Sequence, residues 1–208
     1  MSYRKSTALH AIVLAAGASR RFGSPKQLAR VHGQSLLQRT NAHATDSLGA
    51  GDTIELGAQA AAIAETLPPG SAATLINRNW QEGIASSIRA GVQRLPGACD
   101  GVMLVLADQP LVGSQTFQRL IAAWRRQSRQ IVASRYANTT GLPAIFPRWT
   151  FSDLAALRGD QSAHLVICRY PDHVVRLSQP EAAVDIDYPE DLLDIGADTG
   201  AVTEQQNT

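Results

Sequence analysis

Several shortages in this 208-residue sequence remove whole classes of function. Excess charge is missing: the formal net charge is +1, so the chain lacks the cationic surplus that a sequence-independent grip on nucleic acid requires. Cations that matter must therefore act locally. Long apolar runs are missing too. "AIVLAAGA" and "GVMLVLAD" fall far short of the roughly 18 residues that span a bilayer, so no membrane association is expected. The N-terminus, "MSYRKSTALHAIVLAAG", has a basic start followed by an apolar stretch, as a secretion signal does. That stretch runs directly into Arg20, Arg21 and Lys26, so it reads as a buried strand of a cytoplasmic protein. The two cysteines, Cys99 and Cys168, are too few for a disulfide framework and too far apart for a metal or redox pair, and read as small buried hydrophobes. The five histidines, His10, His32, His43, His164 and His173, show no ligand spacing. No repeat or linker divides the chain, which reads as one domain over 1–195 followed by a flexible polar tail, "GADTGAVTEQQNT", over 196–208.

The chain does contain enough apolar residues, 44%, for one substantial core. Short β-branched runs predict strands near 11–15, 52–56, 73–76, 101–107, 130–135 and 173–177. Helical segments lie between them. Ser35 is placed to cap a helix reaching Leu48. Residues 58–67 are Ala-rich and stop at Pro68-Pro69. Ile84, Ile88 and Val92 recur on one helix face, and Leu120, Ile121 and Trp124 do the same after Ser114. Strand alternating with helix predicts an α/β fold, a mostly parallel twisted sheet with helices on both faces. Such sheets place ligands at the carboxyl ends of their strands. Four polar loops fall there or near the chain's end: Ala16–Lys26, Asn77–Gly83, Asp108–Leu111 and Asp185–Asp187.

The first loop, within "IVLAAGASRRFGSPKQL", is neither a Walker A loop nor a G-x-G-x-x-G turn, because its glycines have the wrong spacing. Its chemistry still suits phosphate. Gly17 lets backbone approach a ligand, successive N–H groups can form an anion-binding concavity, and Ser19, Arg20, Arg21 and Lys26 supply a hydroxyl and charge. An ordinary surface loop with solvated cations would share this composition.

The pattern is more specific than the composition. "LAAGASRRFGSPKQL" resembles the L-A-[AG]-G-x-S-x-R-M-G-x-x-K signature of nucleotidyltransferases that activate sugars, isoprenoid precursors and the molybdenum cofactor, with Phe22 in place of Met. Three further blocks resemble the molybdenum cofactor cytidylyltransferase branch, the MocA-like branch of the MobA-like NTP transferases. These are "NRNWQEGIASSIRAGV" (Asn77–Val92), "LADQPLV" (Leu106–Val112) and "GLPAIFPRWTFSDLAALRGDQSAH" (Gly141–His164). "DIDYPEDL" (Asp185–Leu192) completes the set. The resemblance covers almost the whole chain and implies a single Rossmann-like domain of the nucleotide-diphospho-sugar transferase type.

What the resemblance implies is transfer of CMP from CTP to the terminal phosphate of molybdopterin, releasing pyrophosphate, with Mg²⁺ (or Mn²⁺) as cofactor. A molybdoenzyme of the xanthine dehydrogenase class would receive the product. Leu14, Ala15, Ala16, Gly17, Ser19, Arg21 and Lys26 would bind the nucleotide. Arg21 and Lys26 would act on its phosphates, and Arg20 occupies a variable position. Asp108, which also suits a turn before Pro110, would hold the metal with a second carboxylate from Asp185 or Asp187, the latter favoured. Gly83, Ser86 and Ser87 would lie against the base, although Ser also caps helices, and Trp80 would pack beneath. Asp160 and His164 are acceptor-side candidates; His164 replaces the family's Arg and Ser162 its Gly. The guanylyl branch resembles L-A-G-G at this loop, so Ala16 favours the smaller base. Transfer of GMP, a different phosphate acceptor, a nicotinamide-dependent reductase in the same cleft, and a carrier of the cofactor are the competing readings.

Overall fold

The computed structural model describes residues 8–49 and 52–195; the tail expected at 196–208 lies outside them. In chain order the strands are β1 (Leu9–Ala15), β2 (Arg30–Val31), β3 (Gln34–Ser35), β4 (Asp52–Leu56), β5 (Ala73–Ile76), β6 (Gly101–Leu106), β7 (Ile131–Tyr136), β8 (Thr139–Pro147) and β9 (Val174–Ser178). The helices are α1 (Leu36–Leu48), α2 (Ala60–Glu65), α3 (Ile84–Gln93), α4 (Ser114–Arg126), α5 (Phe151–Ala156), α6 (His164–Arg169) and α7 (Asp191–Asp194).

Seven strands form one sheet in the order β5-β4-β1-β6-β8-β7-β9, while β2 and β3 form a separate hairpin. β5, β4, β1 and β6 run parallel, and β7 and β9 pair in parallel beyond the reversed strand β8. The six expected strands are all present. β8 is additional. It carries Gly141 and Pro143 within its span, residues that argue against an interior strand, and its pairing with β7 shifts register between Ala133 and Ser134.

Side chains alternate between two cores, as the period of a strand requires. Val13, Ile54, Leu56 and Val105 pack with Leu37 of α1 and with Phe117, Leu120 and Trp124 of α4. On the opposite face Ile12, Leu14, Val102 and Leu104 pack with Ala85, Ile88 and Val92 of α3. Each large apolar side chain removed from water contributes about 1.5–3 kcal/mol, so α4, with Trp124 and Phe117 completely buried, is firmly seated. Ser35 caps α1 as expected: its hydroxyl accepts the Gln38 N–H while the Gln38 side chain receives the Ser35 N–H, a reciprocal capping box.

A third, smaller cluster joins Phe22, Val31, Leu36, Ile186 and Leu192. It fastens the loop after β1 to the distant segment carrying Asp185 and Asp187. The apolar side chain expected at position 22 is thus an anchor between two of the four loops. Cys99 is buried, as expected, but Cys168 is exposed, because it faces away from the apolar side of α6 on which Val166 and Ile167 are buried.

Candidate active site

The carboxyl ends of β1 and β6 lie side by side, since Leu14 pairs with Leu106. The loops that leave them open into a cavity of about 560 Å³. Its wall includes Leu14–Arg21, Lys26, Trp80, Gly83, Ser87, Asp108, Asp160 and Asp187. All four expected loops therefore reach one space, of the size that small-molecule sites usually have.

The loop after β1 is shaped from within. Ser19 adopts a left-handed conformation, φ 52°, and its carbonyl accepts the N–H groups of Phe22 and Gly23. Its hydroxyl accepts the Lys26 N–H at 3.1 Å and donates to Gln27 Oε1 at 3.2 Å, so this side chain holds the loop together. Gln27, buried, donates from Nε2 to the carbonyls of Ala15 (2.8 Å) and Gly17 (2.9 Å). Sequence reasoning missed Gln27; its signal was a polar residue directly following Lys26 in an otherwise apolar packing position. Gly17 needs no left-handed backbone, and a Cβ added there would meet no protein atom. What a side chain at position 17 would take is room in the cavity.

Lys26 is the hub. Its Nζ lies 2.7 Å from Asp108 Oδ2 and 3.1 Å from Asp187 Oδ1, and donates to the Ile186 carbonyl at 2.8 Å. Burial pulls the ammonium's pKa down, but the charge and hydrogen bond of Asp108, with Asp187 behind it, more than reverse this, and the pKa ends above its ordinary value. Arg21, mostly exposed, pairs with Asp187 Oδ2 at 2.8 Å and lies over the Tyr188 ring. The Asp108 carbonyl accepts the Ile186 N–H, and the Asp191 carboxylate accepts the N–H groups of Asp187 and Tyr188. These bonds fix the distant segment beside β6.

Two carboxylates gathered on one ammonium also suit a divalent cation, which takes one or two protein carboxylates and completes its shell with water and phosphate oxygens. Asp108 Oδ1 is buried and lacks a partner, so it has coordination to offer. Among the described residues no group of three or more His, Cys, Asp or Glu side chains is arranged to hold a metal by itself, so ligand oxygens would have to complete the shell. Asp185 differs from its neighbour. Burial, reinforced by the Asp108 charge, raises its pKa to about 6, and it does not line the cavity.

On the other wall, Gly83 has φ +119°, and a Cβ there would overlap the Asp160 carboxylate and the Gly159 carbonyl. Glycine is required at this entry to α3. Glu82 ties this turn down, pairing with Arg89 and accepting the Gly159 N–H at 3.2 Å. Ser87 reaches the cavity, but Ser86 does not: it is buried and donates to the Gly83 carbonyl at 2.9 Å. Asn77 Nδ2 donates to both hydroxyls, at 2.8 and 3.2 Å. Asp160 lines the cavity. His164 stands outside it, exposed, with Nδ1 2.7 Å from the Thr140 carbonyl and Nε2 3.1 Å from Cys168 Sγ.

Residues 11–174 match the family model described as MobA-like NTP transferase domain. Among solved structures, Rv0371c from Mycobacterium tuberculosis H37Rv is similar, at 28% identity and TM-score 0.78, over 92% of this chain and 98% of that one. The complex of Rv0371c with manganese matches at 26% identity and TM-score 0.74, over 91% and 98%. A nucleotidyl transferase from Methanothermobacter thermautotroptrophicus, at 20% identity and TM-score 0.73 over 90% and 95%, shares the fold. No curated protein sequence matches the chain. Among the described residues no helix is long and apolar enough to cross a membrane.

Proposed function

The chain belongs to the MobA-like NTP transferase family, and from that premise we propose that it transfers CMP from CTP to the terminal phosphate of molybdopterin. The observation that carries this reading is the convergence of Lys26, Asp108 and Asp187 on one point beneath the loop from Gly17 to Gly23. In the reaction an oxygen of the acceptor phosphate forms a bond to the α-phosphorus of CTP. The bond from that phosphorus to the bridging oxygen breaks, and its electron pair leaves with pyrophosphate. A phosphate monoester has a second pKa near ~6 and arrives largely ionised, so no strong general base is needed. The difficulty is bringing two anions together, and positioning with charge neutralisation supplies the rate.

The chain's residues divide that work. Backbone N–H groups of the Gly17 loop and the Arg21 guanidinium take the β- and γ-phosphates. Lys26 exchanges its carboxylates for the α-phosphate. Asp108 and Asp187 would hold Mg²⁺ or Mn²⁺, which would supply charge neutralisation of the triphosphate; the 26% identical Rv0371c has been crystallised in complex with manganese, which supports the use of a divalent ion. Gly83 and Ser87 face the base, with Ala16 limiting its size and so favouring the cytidylyl over the guanylyl reaction. Asp160 lies on the acceptor side. His164 lies outside the cavity, and its place beyond the Gly159–Asp160 turn supports at most an outer contact with the pterin. The product would pass to a molybdoenzyme of the xanthine dehydrogenase class. A reductase would have no use for the paired carboxylates.

Pyrophosphate release tests the reading, with pure protein, Mg²⁺, molybdopterin and each of CTP, GTP, ATP and UTP. Release with CTP alone is expected. Release with GTP alone would overturn the argument from Ala16, and release with none would overturn the transferase itself.

A further inference from the structure

A nucleophile and a base meet outside the cavity. Helix α6 carries His164 and Cys168 about one turn apart, so their side chains share a face. Both residues are exposed. His164 Nε2 lies 3.1 Å from Cys168 Sγ, and Nδ1 lies 2.7 Å from the Thr140 carbonyl of β8. At the entry to the helix the Ser162 hydroxyl accepts the His164 backbone N–H at 3.3 Å. The charged neighbour on α6, Arg169, is engaged by Asp153 of α5. Among the described residues, His164 alone hydrogen-bonds Sγ.

The Thr140 carbonyl decides the tautomer. A carbonyl oxygen only accepts, so the bond at Nδ1 puts a hydrogen on that nitrogen. In the neutral ring Nε2 is left with its lone pair toward Sγ, and the thiol donates into it. A nucleophile within hydrogen-bond reach of a base, itself oriented by a third group, is the arrangement of an activated thiol. Sulfur and imidazole also pair on metals, but structural zinc takes four protein ligands. Among the described residues no group of three or more His, Cys, Asp or Glu side chains is arranged to hold one. The second cysteine contrasts with the first: Cys99 is buried, and its Sγ donates to the Gly101 carbonyl at 3.1 Å.

We propose that Cys168 is a thiol-modification site that exchanges with low-molecular-weight disulfides, with His164 Nε2 as the base that takes its proton. Sγ forms a bond to one sulfur of the disulfide. The bond between the two disulfide sulfurs breaks, and its electron pair leaves with the other sulfur. The Cys168 proton passes to His164 Nε2 and from there to the departing thiolate. Cys168 ends oxidised in a mixed disulfide, and half of the incoming disulfide ends reduced to a thiol. This site is separate from the nucleotide cavity and does not depend on the transferase reading.

The test follows the rate at which oxidised glutathione adds to the reduced, folded protein, read by intact mass, for wild type, Cys168→Ser and His164→Gln at pH 7 and pH 9.5. One adduct per wild-type chain is expected, reversed by dithiothreitol, and none on Cys168→Ser. A free cysteine thiol is only about 3% ionised at pH 7 and about 90% at pH 9.5. A base therefore matters at the lower pH and is dispensable at the higher. His164→Gln, which keeps a polar side chain but cannot take the proton, is expected to react about tenfold more slowly than wild type at pH 7 and within about twofold of it at pH 9.5. An adduct that persists on Cys168→Ser would overturn the assignment of the site, as would a wild-type protein that forms none. Equal rates for His164→Gln and wild type at pH 7 would overturn the part given to His164. So would a deficit of the same size at both pH values, which would mark a change in access rather than the loss of a base.

Discussion

Replacing Glu55 with glutamine should make the protein's stability less dependent on pH, and the size of the change follows from the group's surroundings. Burial raises its pKa from 4.5 to about 7, with the nearby Ser87 and Asn77 side chains opposing. Below pH 4.5 the carboxyl is protonated in folded and unfolded chains alike, and folding carries no ionisation penalty there. Between 4.5 and 7 the unfolded chain releases its proton while the folded one keeps it, so stability falls as pH rises. Above 7 the loss levels off. At about 1.4 kcal/mol per pH unit, the full fall is about 3 kcal/mol, a large share of the 5–15 kcal/mol that holds an ordinary domain together. Glutamine fills the same space and does not titrate. Urea unfolding of both proteins at pH 4.5 and pH 8 should show the Glu55→Gln variant gaining roughly 2–3 kcal/mol relative to wild type between the two. Contributions from Asp185, also raised, to about 6, are common to both proteins and cancel. A difference that is the same at both pH values would refute the claim that Glu55 is folded as a neutral acid.

Other expectations concern the cavity itself. Asp108→Ala should lower transfer at least ~100-fold in saturating Mg²⁺, and a near-wild-type rate would remove the carboxylate from the metal site. Lys26→Met should depress kcat more than it raises KM for CTP if the ammonium acts on transition-state charge. The same variant, without nucleotide, should bind Mn²⁺ more tightly than wild type, because the ammonium no longer competes for Asp108 and Asp187; calorimetry reads this directly. Gly83→Ala should destabilise the fold by roughly 1–3 kcal/mol, since its Cβ meets Asp160 and Gly159 in a left-handed backbone, with a lowered Tm as the readout.

The strands that were legible in the sequence are those with uninterrupted β-branched runs, from "AIVLA" to "HVVRL". β8 was hidden because Gly141 and Pro143 break its pattern, and no local feature announces that a strand runs backward. The clustering of the four loops was legible because the carboxyl edge of a parallel sheet gathers them by topology. Individual side chains were less so. Ser86 and Ser87 are neighbours of the same type, yet helix geometry sends one to the Gly83 carbonyl and the other to the cavity. Gln27 and Glu55 resemble surface residues until packing shows where they point. Cys168 was misjudged because a cysteine's burial depends on which face of a short helix it occupies, and α6 is too short to display its period.

The central claim is that the cleft around Lys26, Asp108 and Asp187 moves a nucleotidyl group. Following the two ends of CTP separately tests it most directly: the protein is incubated with Mg²⁺ and molybdopterin, and with CTP labelled with ³²P at either the α or the γ position. The account predicts α-label in the pterin product and γ-label in pyrophosphate. Label in the pterin from the γ position, or from neither, would contradict it.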